Sequence, residues 1–482
     1  MPKNRFYVTT AIDYTNDVIH IGHAYQKVAA DVLARYHRLI GDETFFLTGT
    51  DEHGSSSEQA AKKAGKEPKE FVDEISKKDK EQIDYLNISY DRFIRTTDSD
   101  HIKTVEEFYR KVQKNGDIYK GKYSGLYCVN CESYKTESEI IDGHCAVHPT
   151  KELEKVTEEN YFFKWKKYEP FLKGHIKNNP QFIQPEGRRK EILSFLDQGL
   201  EDITISRQKE KVGWGIPIPG DPDQVIYVWF DALINYISGA PDFWPADVHI
   251  LGKDNLRWHA LLWPAMLKSA GYELPKTIYA HGFLSLEGKK ISKTLGNVIR
   301  PTELVEKFGV DPIRYYLIKF GPQREDADLS VEKIKETYNA DLANGLGNLV
   351  SRVAKLSEGL NGKELWKQYE EGKQREDKSG ETLLKEIGWQ WLDSLNFEAA
   401  LSHIWLDIKT LDRWIDRERP WESTENIRLK KLGDFLTASE SFNGLFQIIE
   451  AIEPFLPETA AKIRKQFSGK IKPASPLFPR LR

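Results

Sequence analysis

The stretch FYVTTAIDYTNDVIHIGHAYQKVAADVLARYHRLIGDETFFLTGTDEHG, residues 6–54, decides the fold. Phe6 to Ile12 is aromatic and β-branched and runs into the turn residues Asp13, Thr15, Asn16 and Asp17, which predicts a strand. After His23 the period changes. Ala24, Val28, Val32, Tyr36 and Ile40 recur at every fourth residue, which predicts a helix with one apolar stripe ending at Gly41. Phe45-Phe46-Leu47 then leads to Thr48-Gly49-Thr50-Asp51, a second strand, so the opening reads as a parallel strand-helix-strand unit. The first strand therefore opens onto a helix N-terminus, where unpaired amides and the helix dipole favour phosphate. Gly22 is expected to let a nucleotide approach. His20 and His23 are expected to donate hydrogen bonds where negative charge grows on phosphorus. An isolated H-x-x-H is more often an ordinary pair of surface histidines.

Working outward, 482 residues exceed one core and suggest three or so domains. A hydrophobic content of 39% with 12% aromatics predicts well-cored globular domains. The chain shows no apolar leader and no run long enough to span a membrane, so a cytoplasmic protein is expected. The net charge of −4 means that any nucleic-acid surface must be a local basic patch. Asp51, at the end of the second strand, suits an ammonium group or a helix N-cap equally. Residues 55 to 115 read as charge-rich helical scaffold with Phe71, Ile75 and Leu86 facing inward.

All three cysteines cluster between residues 128 and 145. Cys128-Val-Asn-Cys131 and Cys145-Ala-Val-His148 form two C-x-x-[CH] knuckles, whose four ligands would close a tetrahedral zinc site with no open position, so the zinc would be structural. This insertion is expected to run from 116 to 222. Parallel-sheet chemistry then resumes, with Val225 to Phe230 as a continuous apolar strand and further strands at Val248 to Gly252 and Thr277 to His281. Beyond them lies the lysine-rich, glycine-bounded loop Gly288-Lys-Lys-Ile-Ser-Lys-Thr-Leu-Gly296, able to reach the β- and γ-phosphates of a nucleotide.

His20-Ile-Gly-His23 and Lys290-Ile-Ser-Lys-Thr294 resemble the two signatures of class I aminoacyl-tRNA synthetases. Asp51-Glu-His-Gly54, Tyr227-Val-Trp-Phe-Asp231 and Gly252-Lys-Asp254 resemble the methionyl branch, of the bacterial type with a single zinc knuckle. The resemblance covers nearly the whole chain. It implies an α/β fold: a Rossmann-type parallel sheet in two halves, 1–115 and 223–275, split by the zinc insertion. A lysine-loop region at 276–328 and an all-α anticodon-binding bundle at 329–482 would follow.

The resemblance further implies activation of L-methionine with Mg2+-ATP to methionyl-adenylate and pyrophosphate, then transfer to initiator and elongator tRNA. His20, His23, Lys290 and Lys293 would be catalytic, and Gly22, Gly252 and Asp254 would join them in holding ATP. Asp51 would take the substrate ammonium, with Ile12, Tyr14, Trp229, Ala232, Tyr236 and His281 forming an aromatic pocket for the thioether. Asn344, Asn348 and Arg352, four residues apart on one helix face, and Trp421 after Pro420 would meet unstacked anticodon bases, Asn348, Arg352 and Trp421 being the candidates. The last 24 residues carry seven Lys or Arg and no acid, which supplies the basic patch. Five positions depart from the family pattern: Ala11 and Asp13 before Tyr14, Ile291 and Thr294 within the lysine loop, whose charges they keep, and Asp412 ahead of the Pro-Trp turn. A monomer is expected. The other readings are a class I synthetase for another apolar amino acid, a small-molecule adenylyltransferase, or a catalytically silent tRNA-binding relative.

Overall fold

The computed structural model describes residues 4–128, 133–135, 140–146, 148–291, 298–379, 389–437 and 443–482. Its chain divides into two units. The first comprises Met1–Ile19, Ile40–Asp84 and Ser89–His281, and the second His20–Leu39, Tyr85–Ile88 and Gly282–Arg482. Among the described residues no helix is long and apolar enough to cross a membrane.

The first unit is built on a seven-stranded parallel sheet. Its order is Ile183–Gln184, Thr277–His281, Val248–Gly252, β1 (Arg5–Thr10), β3 (Glu43–Asp51) and β2 (Asp13–Tyr14), with β4 (Arg92–Arg95) also on β3. Val8 of β1 sits between Val248 and Phe46, and all three are buried, so these strands read as continuous apolar runs instead of alternating ones. The chain leaves β1 for β3 on one side and reaches Val248–Gly252 on the other. Strand order thus reverses at β1, and ligands bind outside the carboxyl ends of strands at such a switch point.

The insertion departs from this sheet as a long antiparallel pair, Ile118–Cys128 with Glu154–Phe163, bearing a small sheet of Ile140–Ile141, His144–Cys145 and His148–Glu152. One expectation fails here. Val225 to Phe230 is not a strand of the parallel sheet: the strand Asp221–Ile226 belongs to a small antiparallel sheet, and a buried helix, Val228–Ala232, carries Trp229. A short apolar run suits a buried strand and a buried helix equally, and here Tyr227, in extended backbone, caps the helix.

The second unit is mostly helical. Its small sheet joins Leu284–Leu286 to Lys289–Lys290 and Ala327–Leu329. Residues 20–39, read from sequence as part of the sheet domain, cluster with this unit as α1 (Ile21–Leu39). Every residue from Ala24 to Ala34 is buried, so the predicted single stripe was too narrow. Small side chains at Ala29, Ala30 and Ala34 let neighbours close in on several faces. Asp31 is fully buried and paired at 2.7 Å with Arg314 of the helix Val310–Phe320.

Candidate functional site

In the first unit, candidate residues gather beyond the carboxyl ends of β1 and β3. Ala11 N–H donates to Ile250 O at 2.9 Å, extending the ladder so that Ile12, Asp13 and Tyr14 emerge at the sheet edge. Tyr14 is opposite Asp51 in register, and Asp51 and Asp13 are both buried. Tyr14 meets Trp229 edge-on at 6.3 Å, and Trp229 stacks on Trp258 at 4.9 Å. Tyr236 and Ala232 are buried beside them in the same core.

Tyr236 Oη lies 2.7 Å from His259 Nε2, while His259 Nδ1 lies 2.9 Å from Asn255 O. A carbonyl only accepts, so the His259 proton is on Nδ1 and Nε2 accepts a hydrogen bond from the Tyr236 hydroxyl. Burial pulls the His259 pKa down to about 4, which keeps the ring neutral. Burial, added to by the fields of Asp51 and Asp13, raises that of Tyr236. Sequence reasoning did not assign His259 or Trp258 to the pocket. Both sit on a wide helical turn, Trp258–Leu262, just before Pro264. Proline lacks the N–H that would close an ordinary turn, and no simple period announces the residues such a turn turns inward.

Gly252 lies level with His281 across the parallel ladder. A side chain at Gly252 would place its Cβ 2.6 Å from Asp254 Oδ1 and 3.9 Å from His281 Cε1. A side chain there would push the Asp254 carboxylate aside. His281 stands with Gly252 and Asp254, the two residues expected near adenosine.

In the second unit, α1 opens differently from expectation. Its first amides are already engaged: Ile21 N–H to Ile299 O at 2.9 Å, Gly22 N–H to His20 Nδ1 at 3.0 Å, and His23 N–H to His20 O at 2.9 Å. The amides predicted to bind phosphate at the start of α1 are therefore engaged by His20 and by the Ile299 carbonyl. The space over Gly22 is taken too, since a Cβ there would lie 2.7 Å from His20 Cε1 and 3.7 Å from Ile291 Cδ1.

What the turn offers instead is a pair of imidazoles with centroids 4.2 Å apart. His20 Nδ1 accepts from Gly22, and His23 Nδ1 accepts from the His20 N–H at 3.2 Å. Both protons are thereby placed on Nε2. Burial, and then the neighbouring His23, lower the His20 pKa to about 3, so His20 donates as a neutral ring. Lys290 ends the strand Lys289–Lys290 opposite Ser285. Lys293 and Thr294 lie outside the described residues.

On the helical side, a wide helix, Tyr338–Gly347, leads into Asn348–Leu356. The change of pitch breaks the predicted stripe between Asn344 and Asn348. Asn344 accepts from Arg480 Nε at 2.9 Å, which spends one cation of the basic tail within the protein. Asn348 is exposed. Arg352 is held at 2.6 Å by Asp412 and at 2.5 Å by Asp416, successive turns of the helix Phe397–Glu418. Asp412, a departure from the family pattern, is thus the partner of the arginine. Trp421 is 47% exposed in the turn Pro420–Glu422, launched by Arg419 in a left-handed conformation.

Of the four candidate metal ligands, Cys128 ends its strand and Cys145 is opposite His148 in register; both cysteines are buried. Cys131 and the His148 side chain lie outside the described residues.

Residues 6–155 and 135–354 match the family model described as "tRNA synthetases class I (M)". The chain is 42% identical to the methionine--tRNA ligase of Thermotoga maritima over 483 residues, spanning 98% of this chain and 76% of the relative. It is 39% identical to that of a Nostoc species, covering 96% and 90%. The structure of Mycobacterium tuberculosis methionyl-tRNA synthetase with methionyl-adenylate superposes with a TM-score of 0.87 at 36% identity, covering 99% of this chain and 100% of that one.

Proposed function

We infer the roles of the two units from one premise: the chain belongs to the class I tRNA synthetases that join methionine to tRNA. It activates L-methionine with ATP to methionyl-adenylate and pyrophosphate, then charges tRNA. The observation that carries the division of labour is the histidine pair with both protons set on Nε2.

In the first unit, Asp51 receives the methionine ammonium. Ile12, Tyr14, Trp229, Ala232 and Tyr236 enclose the thioether, and His259 belongs to this set, because it fixes the Tyr236 hydroxyl. Gly252 and Asp254 hold adenosine, with His281 beside them. In the second unit, His20 and His23 donate to the phosphates, and Lys290 and Lys293 neutralise the pyrophosphate as it leaves. The methionine carboxylate attacks the α-phosphorus, so no covalent protein nucleophile is needed. Pre-oriented donors stabilise charge that develops only in the transition state. Magnesium enters with ATP, as screening of its phosphates.

Asn348, Arg352 and Trp421 are assigned to the anticodon of initiator and elongator tRNA. Zinc is assigned to the ligand set Cys128, Cys131, Cys145 and His148: Cys128 and Cys145 are buried, and Cys145 is level with His148 in backbone register. With four protein ligands its role is to pin the insertion. The working form is read as a cytoplasmic monomer.

Methionine-dependent ATP–pyrophosphate exchange by the purified full chain tests this reading. Exchange with methionine and not with leucine, isoleucine or valine is expected. Exchange with another apolar amino acid and none with methionine would overturn it.

A further inference from the structure

A buried carboxylate of no assigned role lies between the two segments that supply the amino-acid pocket. Asp231 shares the helix Val228–Ala232 with Trp229 and Ala232. Its Oδ2 is 2.7 Å from His53 Nδ1 and its Oδ1 2.8 Å from His101 Nε2. Asp231 and His101 are fully buried and His53 nearly so. An ionised carboxylate can only accept, so His53 carries its proton on Nδ1 and His101 on Nε2, with His101 Nδ1 turned to Ser238 Oγ at 2.7 Å. Burial alone would raise the Asp231 pKa, and the two imidazoles reverse that, holding it below the ordinary carboxylate value.

His53 is two residues from Asp51, on a loop fixed at every following position. Glu52 binds Arg95 at 2.6 and 2.9 Å, Thr97 at 2.6 Å and Thr50 at 2.8 Å. Its N–H donates to Thr96 Oγ1, its carbonyl accepts from Trp214 Nε1 at 2.6 Å, and Gly54 N–H donates to Trp214 O. These bonds join the loop to its surroundings. Asp231 joins it to the helix that carries the side-chain half of the pocket.

We propose that Asp231 is a positioning residue for the amino-acid site, setting through His53 where Asp51 stands relative to Trp229 and Ala232. This rests on the roles given above to Asp51 and Trp229. The ammonium and the thioether of one small substrate must be met together, so a shift of the loop against the helix spoils binding of that substrate and leaves ATP binding alone.

The test is steady-state pyrophosphate exchange by the full chain, with methionine and ATP varied separately. Asp231→Asn keeps the shape and removes the charge. Since a misplacement of about 1 Å costs up to ~100-fold, it is expected to raise the methionine KM at least ~10-fold while the ATP KM stays within ~2-fold. His53→Asn should do the same, and the double variant should be no worse than either single one, because both break one link. An unchanged methionine KM in folded Asp231→Asn, a rise in both KM values alike, or additive effects in the double variant would overturn the proposal. If Asp231→Asn does not fold by circular dichroism, His53→Asn alone decides by the same criterion. Asp51→Asn runs alongside: if it leaves the methionine KM unchanged, the role of Asp51 has failed; if it raises that KM while Asp231→Asn does not, only the positioning role has.

Discussion

At the scale of single residues, His20 and His259 show histidine used as a dipole. Their pKa values of about 3 and about 4 lie below the ordinary 6.5, mainly because burial disfavours the charged ring. The unfolded chain therefore binds protons that the folded chain refuses between pH 6.5 and these lower values. Stability is full above pH 6.5 and falls as pH drops through that window. Urea unfolding between pH 7 and 4 should show this decline, and His259→Asn should flatten it. Gly22 gives a second prediction. A methyl group there would displace the His20 ring, so Gly22→Ala should cut exchange turnover by about 100-fold with methionine binding retained. The sequence pointed to His20, His23 and Asp51 because each sits at a strand end or helix start that patterning reveals, whereas Trp229 was singled out inside a run read as a strand that is a helix. It could not show that Gly22 serves the His20 ring, since that is a matter of rotamer and contact. Nor could it find His259, whose value lies in one hydrogen bond.

At the scale of elements, β1 and β3 were legible as aromatic and β-branched runs ending in turn residues, and α1 from an apolar residue at every fourth position. The run from Val225 to Phe230 was not, since apolar residues without a period do not distinguish strand from helix. Arg92–Arg95 escaped for the opposite reason: a charged four-residue strand has too little pattern to read. Buried charge was hidden as well. Arg314 spends its guanidinium on Asp31 and on the carbonyls of Leu86, Pro454 and Phe455. Burial lowers its pKa and Asp31 opposes that. Arg314→Met should leave Asp31 buried with Arg35 still beside it and destabilise the fold by up to about 3 kcal/mol, the lower end of the cost of a broken buried pair, measurable by thermal or urea denaturation. Replacing Asp31 as well, by leucine, should recover part of that loss.

At the scale of the whole molecule, the sequence divided the chain at composition changes and put the first 115 residues together. Packing instead places α1 in the second unit. The helical region was foreseen, yet its wide helix at Tyr338–Gly347 and the docking of Arg480 on Asn344 were not, because both depend on how the tail returns over the bundle. The anticodon reading is tested at this scale. Trp421→Ala removes an exposed ring and should lower tRNA charging ~5-fold or more, as expected for a lost stacking contact of about 1–3 kcal/mol, while leaving exchange intact. Equal losses in both assays would remove Trp421 from the anticodon.

The membership of α1 bears on how such a chain can be inherited and cut. A unit assembled from residues 20–39, 85–88 and 282–482 cannot be released by any single break in the backbone. A fragment beginning after His281 would carry Arg314 without Asp31, and one ending there would carry Asp31 without Arg314. Neither piece is a module that recombination could lend to another protein. A gene split at that point would be expected to yield activity only when both products are made together, each supplying the charge the other has lost.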